Sequence, residues 1–166
     1  MQTEARAGRS DSVAPRPLAE LLVCPPSIGN LLSGSALCLQ FGEGDVVFRQ
    51  GEDCRGLYLV VSGQFQRRAE RLEKRLMLGQ ARAGDLVELA AALGDARHTC
   101  TLSAISSGSV LLLPIEALNK AFEAYPPLRM QLLEELAREV SRGYQACSHA
   151  RIFKARRGGN GGNAQK

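Results

Sequence analysis

The sequence predicts a mainly β fold with flanking helices: roughly eight short strands in a sandwich, barrel or roll, closed by C-terminal helices. Three observations predict it. Between Ala36 and Pro114, short apolar runs alternate with Gly-centred turns, a spacing that indicates a sandwich, barrel or roll. From Ile115 onward, apolar residues recur at helical intervals. The chain also carries 17 glycines in 166 residues, which suits a body built on tight turns better than a helical bundle.

Each strand is bounded by its own turn signal. Ala36–Phe41 runs into Gly42-Glu43-Gly44-Asp45, and Val46–Arg49 runs into Gln50-Gly51-Glu52-Asp53. Leu57–Ser62 ends at Gly63, and Phe65–Arg68 and Leu76–Ala83 flank a charged bend over Glu70–Lys74. Thr99–Ala104 precedes Ser106-Ser107-Gly108, and Val110–Leu113 ends at Pro114. Leu57 to Val61 are apolar at successive positions, as in a strand pinned between two layers. Cys100, Leu102 and Ala104 alternate with Thr99, Thr101 and Ser103, so that strand should keep one wet face.

Helices are expected on both flanks. Leu18–Cys24 is stopped by Pro25-Pro26, and Ser27–Gly34 reads as a second short helix. Ile115, Leu118, Ala121 and Phe122 mark a helix over Ile115–Ala124. Pro126-Pro127 starts another, with Pro suited to the first turn. Along it Leu133, Leu136, Val140, Gly143 and Cys147 form a heptad seam, which either packs on the roll or pairs residues 128–147 with a second copy as a homodimer. The domain reading is therefore a disordered lead over residues 1–17, the roll over 18–150, and a basic Gly-rich flexible tail over 151–166.

Composition narrows the function classes. Hydrophobic content of 45% with 23% charged residues is ordinary for a globular protein. The longest apolar runs are a few residues, so no membrane span and no signal peptide is expected. The net charge of +4 comes from the tail residues Arg151, Lys154, Arg156, Arg157 and Lys166, which either meet an anionic partner or are a solvated terminus. Five scattered cysteines without a C-x-x-C read as free thiols in a cytoplasmic protein and give no metal spacing. With only His98 and His149, and no Walker loop, zinc motif or Ser/His/Asp set, no enzyme is expected, a metal-dependent cupin included.

Gly44-Asp45-Val46-Val47-Phe48-Arg49-Gln50-Gly51-Glu52, followed by Leu57 to Phe65, resembles the first half of the cyclic-nucleotide-binding domain family, which includes the catabolite-activator/FNR-type regulators. The resemblance covers about residues 18–147 and implies an eight-stranded antiparallel β-roll, jelly-roll-like, closed by C-terminal helices. It also implies a phosphate-binding cassette over residues 84–101, of which residues 84–99 are expected to wrap a concave, positively polarised corner. A cyclic phosphate needs backbone N–H groups and a guanidinium, and the ribose hydroxyl needs a carboxylate. The resemblance places Glu88 at the ribose, Arg97 or His98 at the phosphate, and the Thr99 hydroxyl beside them, with Gly84, Leu86, Val87 and Leu89 building the cassette. Val87 stands where the family has a glycine, and a β-branched residue resists positive φ, so Val87→Gly should tighten binding if the cassette is otherwise intact. Gly143-Tyr144 occupies the place of the family's purine-contacting pair, where Tyr144 either stacks on a base or is a packing residue.

The resemblance thus implies a stand-alone regulatory or sensor module that takes a cyclic nucleotide (cAMP or cGMP) and acts through a partner protein. The alternative is a degenerate domain that binds no nucleotide and serves as a dimerisation or protein-interaction module. The family's transcription factors continue into a helix-turn-helix. The residues after the last helix here, ending Gly158-Gly159-Asn160-Gly161-Gly162, hold no recognition helix, so no sequence-specific DNA binding is expected.

Overall fold

A computed structural model of the chain describes the backbone of residues 18–157 and the side chains of residues 18–145. The expected lead over residues 1–17 lies outside the described residues. Two short helices, α1 (Leu18–Leu21) and α2 (Pro26–Ser35), precede β1 (Leu37–Phe41), β2 (Val46–Phe48), β3 (Gly56–Ser62), β4 (Gln64–Arg71) and β5 (Lys74–Arg82). Then follow β6 (Leu86–Val87), α3 (Leu89–Leu93), β7 (Thr101–Ala104), β8 (Gly108–Pro114), α4 (Ile115–Ala124) and α5 (Pro126–Arg157). The eight strands form two four-stranded antiparallel sheets, ordered β1-β8-β3-β6 and β2-β7-β4-β5. Helix α5 continues past the boundary expected at residue 150.

The uninterrupted apolar run of β3 serves two cores. Tyr58 and Val60 face inward with Phe41, Phe48, Phe65, Leu102 and Val110, filling the roll. Leu57 and Leu59 face outward against Leu32, Leu113, Leu118 and Leu128, the layer that docks the helices. A strand covered on both faces has no position left for a polar residue, which is the reason the run is continuous. β3 also comes close to its neighbour: a Cβ on Gly56 would lie 1.9 Å from the Leu113 carbonyl oxygen, so only glycine fits there. In β7, by contrast, Leu102 and Ala104 are buried while Thr101 and Ser103 are half-buried, as the alternation predicts.

Two deviations from the expected strands carry functional weight. Thr99 and Cys100 stay outside β7 because the Thr99 amide and hydroxyl and the Cys100 thiol all turn toward the Glu88 carboxylate. The β4–β5 ladder shifts register between Arg67 and Arg68, where Gly79 at φ 99° opposes Arg67. Such bulges bend a strand and re-aim its side chains.

Along α5, Leu128, Leu132 and Leu136 pack into the helix-side core. Val140 is 63% exposed, so the heptad stripe is divided: its first turns pack on the roll, and Val140 and Gly143 border the open space between helix and roll. Cys147, the last seam position, has its side chain outside the described residues.

Candidate ligand-binding site

Between the turn at residues 84–90 and helix α5 lies an open-sided cavity of about 1060 Å3, the size of a small-molecule site. Of the residues expected from sequence, Gly84, Leu86, Val87, Glu88, Leu89 and Thr99 line it, whereas Arg97, His98 and Tyr144 are not among its lining residues. Gly84 enters the turn at φ 93°, a left-handed conformation that glycine adopts without strain.

Glu88 faces inward. It caps α3 at φ 74°, ψ 30°, a left-handed conformation uncommon for a residue with a side chain. Its carboxylate accepts from the Thr99 amide (3.0 Å), the Thr99 hydroxyl (3.0 Å) and the Cys100 thiol (3.2 Å). Oε2 also lies 3.3 Å from Nδ1 of His98, with both side chains almost wholly buried. Burial alone would raise the Glu88 pKa, but the contacts with His98, Thr99 and Cys100 outweigh it and hold the carboxyl below its usual range. Burial would likewise lower the pKa of His98, yet the neighbouring Cys54 thiol and Glu88 carboxylate push it up to about 9. Desolvation, reinforced by the Glu88 charge, drives the Cys100 thiol up to about 12.

The left-handed position therefore falls at Glu88 and not at Val87. Val87 is 2% exposed, pairs with Tyr58 across β6–β3 and belongs to the core of the roll. The expected clash between a β-branched residue and a positive φ does not arise, because Val87 is in a strand.

The two candidates for the phosphate contact are committed elsewhere. Arg97 is exposed, and its Nη1 donates to the Gly51 carbonyl (3.0 Å) and lies 3.7 Å from Asp53. His98 is 4% exposed and stacks on Phe48 with ring centroids 3.8 Å apart and planes 3° from parallel. Tyr144 is 75% exposed.

The guanidinium that does line the cavity is Arg67 on β4, opposite the β5 bulge at Leu78, a residue not expected in the site from sequence. Its Nη1 donates to Oε1 of Glu139 on α5 at 2.8 Å, while its buried Nε has no hydrogen-bond partner. A signal existed in the alternation of β4, which places a charged residue two positions after the core residue Phe65 and on the same face. Arg138 and Arg142, the other lining arginines, pair with Glu134 and Glu135 on their own helix. Asp85, Glu88, Glu134, Glu135 and Glu139 outnumber these three arginines, so the corner is not positively polarised as the resemblance implied.

Fold and cavity together define a β-roll domain with an open-sided cavity roofed by its C-terminal helix. The family profile of the cyclic nucleotide-binding domain matches residues 38–125, and the chain belongs to that family. No curated protein matches the sequence. Among solved structures, the catabolite activator protein of Thermus thermophilus superposes with a TM-score of 0.70 at 21% identity, covering 85% of this chain and 66% of that one. The sensor domain of the transcriptional regulator DNR from Pseudomonas aeruginosa gives 0.64 at 22% identity, covering 80% and 87%. The regulatory domain of Toxoplasma gondii PKA, solved with cAMP, gives 0.59 at 19% identity, covering 64% and 42%. The chain thus spans 66% of the length of the Thermus protein. At these identities the likeness shows the shared fold, the β-roll, and nothing further. No helix among the described residues is long and apolar enough to cross a membrane.

Proposed function

We propose that this chain is a regulatory sensor module: a cyclic nucleotide (cAMP or cGMP), or an anion of the same chemistry, enters the cavity beneath α5 and changes how that helix is presented to a partner protein. The observation that carries the reading is the 2.8 Å ion pair between Arg67 on the roll and Glu139 on α5, both lining the cavity. A ligand phosphate that takes the Nη1 edge of Arg67 competes with Glu139 for it, while the other lining arginines are paired on their own helix. Binding and helix release are then coupled, and the ligand's preference for the released state is what shifts the equilibrium.

In this reading Glu88 shapes the cassette from behind, and Gly84, Leu86, Leu89 and Thr99 meet the ligand. The exposed Tyr144 of α5, outside the cavity lining, offers the surface for a partner protein or a second copy. The module is assigned to regulation rather than catalysis, as for its family, and to the cytoplasm, where the free thiols Cys24, Cys38, Cys54 and Cys100 stay reduced.

A second reading has a specific observation in its favour. Glu88 points inward and Arg97 is held on Gly51 and Asp53, so neither of the side chains the family uses to grip its ligand is offered to the cavity. A domain with that arrangement serves as an interaction module without a nucleotide. Isothermal titration of the chain with cyclic AMP, cyclic GMP and cyclic dinucleotides separates the two. Saturable heat with one of them supports the sensor, and silence across the panel supports the interaction module.

A further inference from the structure

We propose that Cys54, Glu88 and His98 form a buried site for one divalent cation of the zinc class, behind the cassette, with Glu88 shared between this site and the wall of the ligand cavity. Their ligating atoms all lie within 4.8 Å of one another, and the three residues are 4%, 6% and 4% exposed. No spacing in the sequence could show this, because the three donors come from distant segments and none belongs to a C-x-x-C or His-x-x-x-His pair.

The donors are held in place by the fold. The loops carrying Cys54 and His98 are laced together: the Cys54 amide donates to the Ala96 carbonyl (2.7 Å), the His98 amide to the Glu52 carbonyl (2.9 Å), and the Gly51 amide to the His98 carbonyl (2.9 Å). The Arg97 guanidinium clasps the same loop through the Gly51 carbonyl. The Phe48 stack fixes the plane of the His98 ring. The left-handed turn at Glu88 swings its carboxylate inward to meet them. The Thr99 amide and the Cys100 thiol donate to that carboxylate, the kind of outer support that metal-bound carboxylates usually have.

One atom in this cluster makes no hydrogen bond, although Oε2 of Glu88 lies 3.3 Å from it. Nδ1 of His98 is buried and without a hydrogen bond, a state that costs free energy unless something binds there. Thiolate, imidazole and carboxylate together are the donor set of zinc. A thiolate, a carboxylate and a neutral imidazole around a 2+ ion also sum to zero charge, which removes the penalty of burying an isolated ion.

The test uses the full chain, stripped with chelator and titrated with Co2+ alone in reducing buffer. One Co2+ per chain is expected, with thiolate-to-cobalt charge-transfer absorption and the intense visible bands of a four-coordinate ion, both reversed by Zn2+. Cys54→Ser should remove the charge-transfer band, and His98→Gln should weaken binding by at least about tenfold. The double substitution Cys147→Ser/His149→Gln should leave the spectrum unchanged. The proposal is overturned if the wild type shows no such bands, or if they survive Cys54→Ser and vanish in the double variant. The wild-type titration decides even where a variant fails to fold, and it is independent of whether the cavity takes a nucleotide.

Discussion

Nη1 of Arg67 on strand β4 lies 2.8 Å from Oε1 of Glu139 on helix α5, and this pair joins the roll to the helix that roofs its cavity. Both side chains are only partly buried, so the pair contributes no more than about 1 kcal/mol to stability. Its importance is positional. Glu139 occupies the hydrogen-bonding edge that a phosphate would need, while Nε beside it has no partner.

Removing the competitor should therefore favour the ligand. Glu139→Gln is expected to tighten binding of a cyclic nucleotide several-fold, and Arg67→Ala to abolish it, both measured by isothermal titration. Neither change should shift the melting temperature by more than a few degrees, since about 1 kcal/mol is at stake. Equal affinities in wild type and Arg67→Ala would remove Arg67 from the site.

Arg97 gives the converse prediction. Its guanidinium is exposed and bound to the Gly51 carbonyl and Asp53. Arg97→Ala should leave nucleotide affinity within about twofold of wild type and cost at most about 1 kcal/mol in urea denaturation. A large loss of affinity with unchanged stability would show that Arg97 leaves its loop to meet the ligand.

For Val87→Gly, the sequence reading expects tighter binding, whereas the structure predicts destabilisation without a gain. Val87 is a core residue of the roll, and the positive φ lies at Glu88. Deleting its buried side chain and placing glycine in a strand should cost about 2–4 kcal/mol. Urea denaturation followed by tryptophan-independent circular dichroism measures it, as the chain has no tryptophan. A stable variant with higher affinity would restore the resemblance-based expectation.

Gly56→Ala tests the β3–β8 contact. The added Cβ would meet the Leu113 carbonyl oxygen at 1.9 Å, and that atom belongs to strand backbone that cannot move aside alone. A loss of about 3 kcal/mol is expected, seen as an earlier urea midpoint. An unchanged midpoint would mean that the two strands sit further apart than described.

The sequence by itself determined the architecture. Gly-bounded apolar runs specify strands, and the continuous run Leu57–Val61 specifies a strand covered on both faces, because side-chain periodicity is a local property of the chain. It also located the segment that forms the cavity floor, with Gly84, Leu86, Glu88 and Thr99 at its lining. Tertiary structure decided which way the functional side chains point. Glu88 faces the interior because one left-handed φ reverses it, and His98 is buried because Phe48, fifty residues earlier in the chain, supplies the ring it stacks on. The alternation of β4 places Arg67 on the face of Phe65, but helix α5, through Glu139, decides that this arginine meets a cavity wall. Each of these depends on a contact between distant segments, and a linear pattern carries no information about the orientation that such a contact imposes.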